Sequence, residues 1–464
     1  MFITRAERIN EILHLGAVNP HQRAVVMAAL LLSKLSSTGP NIEESSPTVL
    51  IEDINTRVRS VLKAQRKPEF VEYIRIGLPA SEDNHFKFRQ ALVDTIQQLD
   101  LLNIRSAMNS GADWLGAFYE VFLKYANWSQ DLGIVLTPRH VTRWAADVMD
   151  VRHNDLVLDP TCGTGGFLVA AFDAVKQKAT PEQVATFKKN AVFGVEQDPG
   201  IAALAVVNMI FRGDGKNNII EGNCFAKFLK ATTNDGTPTA KYVGELSTAP
   251  PITKVMMNPP FALKKGSDKE YKFVDHALNQ MLHSGLLFCV LPYSAMVRSG
   301  EYRTWRKDKL LPSHTLLSVI TFPGDLFYPV GVHSLGIFVQ KGIPHPKAQN
   351  VLWLRAVNDG LLKSKGKRLP NVKAPNDLNT VGDLLRAFLA NPKYPVPGID
   401  RFQKACPIDF DDGFVELVPE NYLDDAPATD DEIRAGMEQI LRDTAAFLIG
   451  ERRGAWGSNT ARSK

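Results

Sequence analysis

The chain has 464 residues, 44% hydrophobic and 22% charged, with 54 Lys and Arg against 50 Asp and Glu, a net charge of +4. That is an ordinary globular composition; it excludes a histone-like or polyanion-coating protein and fits one large α/β domain with additions, or two to three domains. The Cys count of 4 excludes a disulfide scaffold, and Cys162, Cys224, Cys289 and Cys406 lack zinc-like spacing, so no metal is expected. The longest apolar runs, such as residues 285–292, are too short to cross a bilayer, and residues 1–10 show no signal-peptide pattern. A cytoplasmic protein with no membrane partner is expected.

Residues 1–130 read as a helical domain. Residues 21–36 (HQRAVVMAALLLSKLS) form an Ala/Leu-rich buried helix, 38–47 a polar break, and 88–102 and 114–125 continue with apolar spacings of three and four. From about residue 131 short apolar runs alternate with helical stretches, the pattern of a parallel α/β sheet. Strands are expected at 156–159, 192–196, 218–221, 255–258, 286–291, 316–322 and 335–340, giving one seven-stranded, doubly wound domain over 131–345. Residues 346–464 read as a C-terminal extension with an acidic helix near 430–448 and a polar end. Charge is unevenly spread. Residues 298–368 hold 12 basic and 4 acidic residues, and residues 409–443 hold 12 acidic and 2 basic ones. The two stretches are either solvated surfaces of opposite sign or a face that holds an anion.

Two constellations carry chemistry. Residues 155–168 read DLVLDPTCGTGGFL: a strand ends at Asp159, Gly163, Gly165 and Gly166 make a turn, and a helix follows. Glycine lets the backbone approach a ligand closely, and the helix start offers N–H groups. The spacing is neither that of a dinucleotide fingerprint nor that of a phosphate loop. One strand–helix–strand unit later, Glu196 in VFGVEQDP ends the next strand, where a carboxylate can accept from both hydroxyls of a ribose. The second constellation is VMMNPPF at 255–261. Pro259 and Pro260 lock the chain and remove two N–H donors, so the Asn258 and Pro259 carbonyls lack local partners. With the Asn258 side-chain oxygen and the flat ring of Phe261, they make a pocket for a base bearing an exocyclic amine. Taken alone, Asn-Pro-Pro is an ordinary turn; its place one unit beyond the Gly turn favours the pocket.

With DPTCGTGGFL at 159–168, GVEQDP at 194–199, NPPF at 258–261, GIVLTPRHV at 133–141 and LLFCVLPYSAM at 286–296, residues 110–345 resemble the adenine-N6 DNA methyltransferases, specifically the modification subunits of type I restriction systems and their relatives. The resemblance implies a Rossmann-like class I methyltransferase domain and S-adenosyl-L-methionine as cofactor. It implies cofactor contacts from Leu136, Thr137, Pro138, Asp159, Thr161, Gly163, Thr164, Gly165, Gly166, Phe167, Glu196 and Asn223, and catalysis by Asn258, Pro259, Pro260 and Phe261. Two positions depart from the family. Val135 and Leu136 stand where an aromatic pair is usual, and Gly222-Asn223 stands for Gly-Asp, so Asn223 offers the cofactor's adenine amine an uncharged acceptor. Double-stranded DNA is the implied substrate, with a separate specificity subunit and a restriction subunit as partners. The alternatives are a stand-alone enzyme with a short built-in reader, and a non-catalytic DNA- or cofactor-binding subunit. Lysines in 262–272 (ALKKGSDKEYK) and the run KSKGKR at 363–368 are expected near DNA phosphates. Cys162, at a helix start, invites a low-pKa thiol reading, which the resemblance does not favour.

Overall fold

The computed structural model describes residues 2–36, 38–102, 121–122 and 136–424, except 214–217, 262–265, 328–330, 365–366 and 372–374, together with a few helical positions between 430 and 441. The N-terminal region contains α1 (Phe2–Leu15), α2 (Pro20–Ser33), α3 (Pro47–Ala64) and α4 (His85–Asp100). The expected helices at 21–36 and 88–102 lie on α2 and α4, and the polar break links α2 to α3; the stretch 114–125 lies outside the described residues apart from 121–122. At the start of α3 the Ser46 hydroxyl accepts the Val49 N–H at 3.4 Å, and Pro47 occupies the first turn, where its missing N–H costs nothing. Leu50, Ile54, Val58, Val61 and Leu62 then form its buried stripe. The chain leaving α1 crosses α4 at Gly16, where a Cβ would fall 2.2 Å from that of Ala91.

Among the described residues thirteen strands follow: β1 (Val157–Asp159), β2 (Val192–Glu196), β3 (Asn218–Glu221), β4 (Phe228–Asn234), β5 (Thr237–Val243), β6 (Ile252–Met257), β7 (Met281–Pro292), β8 (Thr315–Thr321), β9 (Ser334–Gln340), β10 (Asn350–Arg355), β11 (Leu361–Ser364), β12 (Lys367–Pro370) and β13 (Gln403–Pro407). Between them run α5 (Arg139–Val148, before β1), α6 (Gly166–Lys176), α7 (Pro181–Asn190), α8 (Pro199–Ile210), α9 (Glu270–Asn279) and α10 (Asp377–Ala390). One sheet has the order β13-β10-β8-β9-β7-β6-β1-β2-β3.

The sheet thus has nine strands where the sequence pattern suggests seven. The two extra strands, β10 and β13, come from past residue 345, so the sheet runs on through the stretch read as an extension. NVLWLR in β10 is a buried apolar run, with Trp353 fully enclosed, but its flanks of Pro and charge read as tail. QKACP in β13 is half polar because an edge strand has neighbours on one side only; it pairs antiparallel with β10.

Strands β3, β2, β1, β6 and β7 run parallel, which sets the carboxyl ends of β1, β2, β3 and β6 along one edge. The chain steps outward from β1 to β2 to β3, then returns to the other side of β1 as β6. Open α/β sheets bind ligands in the crevice outside such a reversal. Every residue of α8 from Gly200 to Ile210 is buried, since the helix lies between β2 and β3 on one side and the N-terminal helices on the other. The Lys67 ammonium reaches from the N-terminal region to the Ile219 carbonyl of edge strand β3 at 2.8 Å. On α5, Trp144 meets Phe288, Phe322 and Phe338 edge-on at 6.1 Å each, and its indole N–H donates to Leu378 O at 2.8 Å, which clamps α5 against α10. Among the described residues no helix is long and apolar enough to cross a membrane.

Candidate active site

The turn after β1 is tied to its neighbours by the backbone. Cys162 N–H donates to Val195 O of β2 at 2.9 Å, and Gly165 N–H to Cys162 O at 2.8 Å. Gly163 and Gly165 have φ of 53° and 82°, which side-chain-bearing residues adopt only at a cost. A Cβ on Gly163 would meet nothing within 4 Å, so bare backbone faces open space there. From α8, Asn208 Nδ2 donates to Thr164 O at 2.9 Å and fixes the far side of the turn; nothing in the sequence motif points to this residue.

Asp159 is buried, and its Oδ1 accepts the Thr161 N–H at 3.1 Å. Burial holds its carboxyl well above the usual range; the Thr161 bond opposes this and the nearby Glu196 charge adds to it. Glu196 is also raised by burial, with its backbone bonds opposing. Its Oε2 accepts the Gly163 N–H and its Oε1 the Asp198 N–H, both at 2.9 Å, so this carboxylate shapes the Gly turn and the entry to α8. A carboxylate has about four lone-pair sites, so two of them serve the backbone and the others suit a diol. Asn223 Oδ1 accepts the Phe225 N–H at 3.0 Å and caps the turn Cys224–Ala226. Its oxygen, assigned by resemblance to an adenine amine, here also serves the chain.

Asn258 follows directly on β6, beside β1. Its Nδ2 donates to Thr137 Oγ1 at 2.9 Å. This joins the Thr-Pro segment to the Asn-Pro-Pro-Phe motif across the crevice, a link no local spacing reveals. Pro138 then caps the start of α5, and Leu136 is 37% exposed. Pro259 is buried and Pro260 exposed. Phe261, expected to present an open stacking face, is only 5% exposed, with Phe327 edge-on at 6.1 Å. A base stacking on this ring must displace what covers it.

Other expectations fare differently. The Cys162 thiol is pushed well up by burial, then by the Asp159 and Glu196 charges, the reverse of an activated thiol. In the run at 363–368, Lys363 is buried against Asp325 and Asp359, and Arg368 donates to Leu326 O, so these two cations serve the fold rather than phosphates. Lys365 lies outside the described residues. In the 262–272 loop, Lys269 and Lys272 pair with Glu301 and Asp268; residues 262–265 lie outside the described set. Arg306 is fully buried, and burial lowers its guanidinium to about 10. It donates to the carbonyls of Ala295, Arg298, Phe414 and Val415. Part of the basic stretch is therefore internal.

A sheet whose order reverses at β1, with a Gly turn after β1, a carboxylate ending β2 and the antiparallel strand β9 inserted between β7 and β8, is the class I methyltransferase fold. Residues 110–396 match the family model described as N-6 DNA Methylase, and the chain belongs to that family. It is 36% identical over 258 residues to the type II restriction enzyme and methyltransferase RM.BcgI of Heyndrickxia coagulans, covering 54% of this chain but 38% of that protein. It is 24% identical over 393 residues to the type I restriction enzyme StySPI methylase subunit of Salmonella potsdam, covering 76% and 70%. A solved chain from a type I R-M system superposes with a TM-score of 0.62 at 17% identity, covering 98% of each chain, which shows a shared fold.

Proposed function

We propose that the chain transfers a methyl group from S-adenosyl-L-methionine to N6 of adenine in double-stranded DNA, as the modification subunit of a restriction-modification system. The observation that carries this is the Asn258 amide, which follows β6 beside β1, the strand that leads into the Gly turn, with its Nδ2 on Thr137 Oγ1. Family membership supports it.

The residues present fit the cofactor. Open backbone at Gly163 admits close approach, and the buried Asp159 and Glu196 carboxylates suit a ligand bearing a cation and a ribose diol. The cofactor supplies an electrophilic methyl group on a sulfonium. The protein's task is to make a poor nucleophile attack, since the N6 lone pair is delocalised into the adenine ring. Asn258 Oδ1 and the Pro259 carbonyl accept the two amine hydrogens, favour a pyramidal nitrogen, and stabilise the positive charge that develops there. Holding nitrogen and methyl in line supplies much of the remaining rate. Extruding the base costs a few kcal/mol, and stacking on Phe261 returns about 1–3 kcal/mol less the cost of displacing what covers that ring.

Target choice is assigned to a partner subunit. Ile433, Met437 and Leu441 are helical, exposed and four residues apart, an apolar stripe among acidic residues that suits docking to another chain. The test is transfer of labelled methyl to genomic DNA by the chain, with and without a cognate specificity subunit, followed by nucleoside analysis. N6-methyladenine from wild type and none from Asn258→Ala is expected. Normal transfer by Asn258→Ala, or label on another atom, refutes the proposal.

A further inference from the structure

The buried Asp359 carboxylate lies after β10, far along the chain from both motifs. Its Oδ2 is 3.0 Å from His140 Nε2, and its Oδ1 accepts from the Lys363 ammonium. Lys363 also holds Asp325 at 2.9 Å. Each limb leads back to the catalytic motif. His140 lies in the first turn of α5, three residues after Thr137, whose hydroxyl holds Asn258. Asp325 lies two residues before Phe327, whose ring edge meets Phe261. The contacts close a circuit from Asn258 through Thr137, His140, Asp359, Lys363, Asp325 and Phe327 to Phe261.

We infer that Asp359 is a positioning residue of the active site, holding together the two walls that flank Asn258 and Phe261. The inference rests on the methyl-transfer reading for its kinetic consequence. Burial pushes the Asp359 carboxyl up, yet the close His140 ring and the Lys363 ammonium outweigh it and bring it down to about 2. The carboxylate is therefore charged whenever the protein works, and a buried charge with two cationic or N–H partners resists displacement of either. Asp377 braces the same loop, its Oδ2 accepting the N–H groups of Val357 and Asn358 at 2.8 Å each. His140 ends the Thr-Pro-Arg-His run of the 133–141 motif, Asp359 lies outside every motif, and the two are brought together only by the fold.

The experiment uses the full chain, with a cognate specificity subunit in the transfer assay, and three variants, Asp359→Asn, His140→Ala and His140→Gln. Single-turnover methyl transfer, cofactor affinity by calorimetry, and hydrogen exchange of backbone amides are measured on each. Misplacement of a reacting group by about 1 Å costs roughly 100-fold, so Asp359→Asn and His140→Ala should slow transfer by about 10- to 100-fold. Cofactor affinity should change by less than about threefold. Exchange should rise in peptides covering 136–142 and stay unchanged in 192–210. His140→Gln keeps a side-chain donor and should recover most of the rate. His140→Ala carries the test if Asp359→Asn does not fold. Wild-type rates in His140→Ala, or exchange that rises equally in 192–210, would overturn the inference. If wild type supplied with a cognate specificity subunit transfers no methyl, the methyl-transfer reading fails by itself, and localised exchange in 136–142 still supports the positioning contact.

Discussion

The Asn258–Thr137 bond makes a sharp demand on one hydroxyl. Thr137→Val keeps the side chain's shape and removes its oxygen. The Asn258 Nδ2 then faces a methyl group, where it had an acceptor at 2.9 Å. Facing this half-buried donor with a non-acceptor costs at most about 1–3 kcal/mol. The amide relieves this by turning over, which aims a donor at the incoming amine where an acceptor is needed. The productive orientation is thereby disfavoured by a factor of roughly 5 to 150. Single-turnover transfer should fall by that factor in Thr137→Val while circular dichroism stays unchanged. Thr137→Ser, which keeps the oxygen, should stay within about threefold of wild type. A Thr137→Val enzyme at the wild-type rate would show that the amide is oriented by something else.

Three further outcomes are expected. Burial raises the Asp159 pKa, so the folded chain binds that proton more tightly than the unfolded one, and stability falls as pH rises from about 4 through the folded value; Asp159→Asn should therefore melt higher at neutral pH yet bind S-adenosylmethionine about 10- to 100-fold more weakly by calorimetry, and unchanged affinity would contradict the assignment. Asp359 behaves oppositely: its folded pKa of about 2 lies below the unfolded value, so it contributes about 2 kcal/mol above pH 4 that is lost as pH falls towards 2, and the stability gap between wild type and Asp359→Asn in urea melts should close over that window. Arg306→Met strands the buried carbonyls of Ala295 and Val415, leaving those of Arg298 and Phe414 to solvent, and should cost about 3 kcal/mol in the same melts; a loss under about 1 kcal/mol would mean that water replaces the guanidinium.

Much of the catalytic half was legible because its signals are local. The strands ending at Asp159 and Glu196 announce themselves by short apolar runs, and the Gly turn and Asn-Pro-Pro-Phe lie at strand ends. The hairpin of β4 and β5 was missed although it carries a signal: Asp235-Gly236 between two strands, with φ of 49° and 80°, is the residue pair a tight hairpin turn prefers. Long-range pairings left no such trace. Nothing near His140 indicates Asp359, and nothing in NVLWLR shows which strands flank it. Lys363 and Arg368, expected near phosphates, serve the fold for a related reason. Composition reports charge, while whether Lys363 meets solvent or two carboxylates is decided by chain folded elsewhere.

The edge strand β13 bears on how the molecule is made. Synthesis runs from the N-terminus, so β3, the opposite edge, emerges early and is covered by helices already built, with Lys67 in place. Strand β10 emerges long before its partner. Until residues 403–407 arrive, its outer edge has no strand to pair with, and Trp353 waits for Tyr422, on which it stacks at 3.8 Å. A chain halted between 356 and 402 would thus display an unpaired apolar strand beside a finished cofactor half, a species prone to join its own copies. The last burial step of folding should be reported by the fluorescence of that one tryptophan.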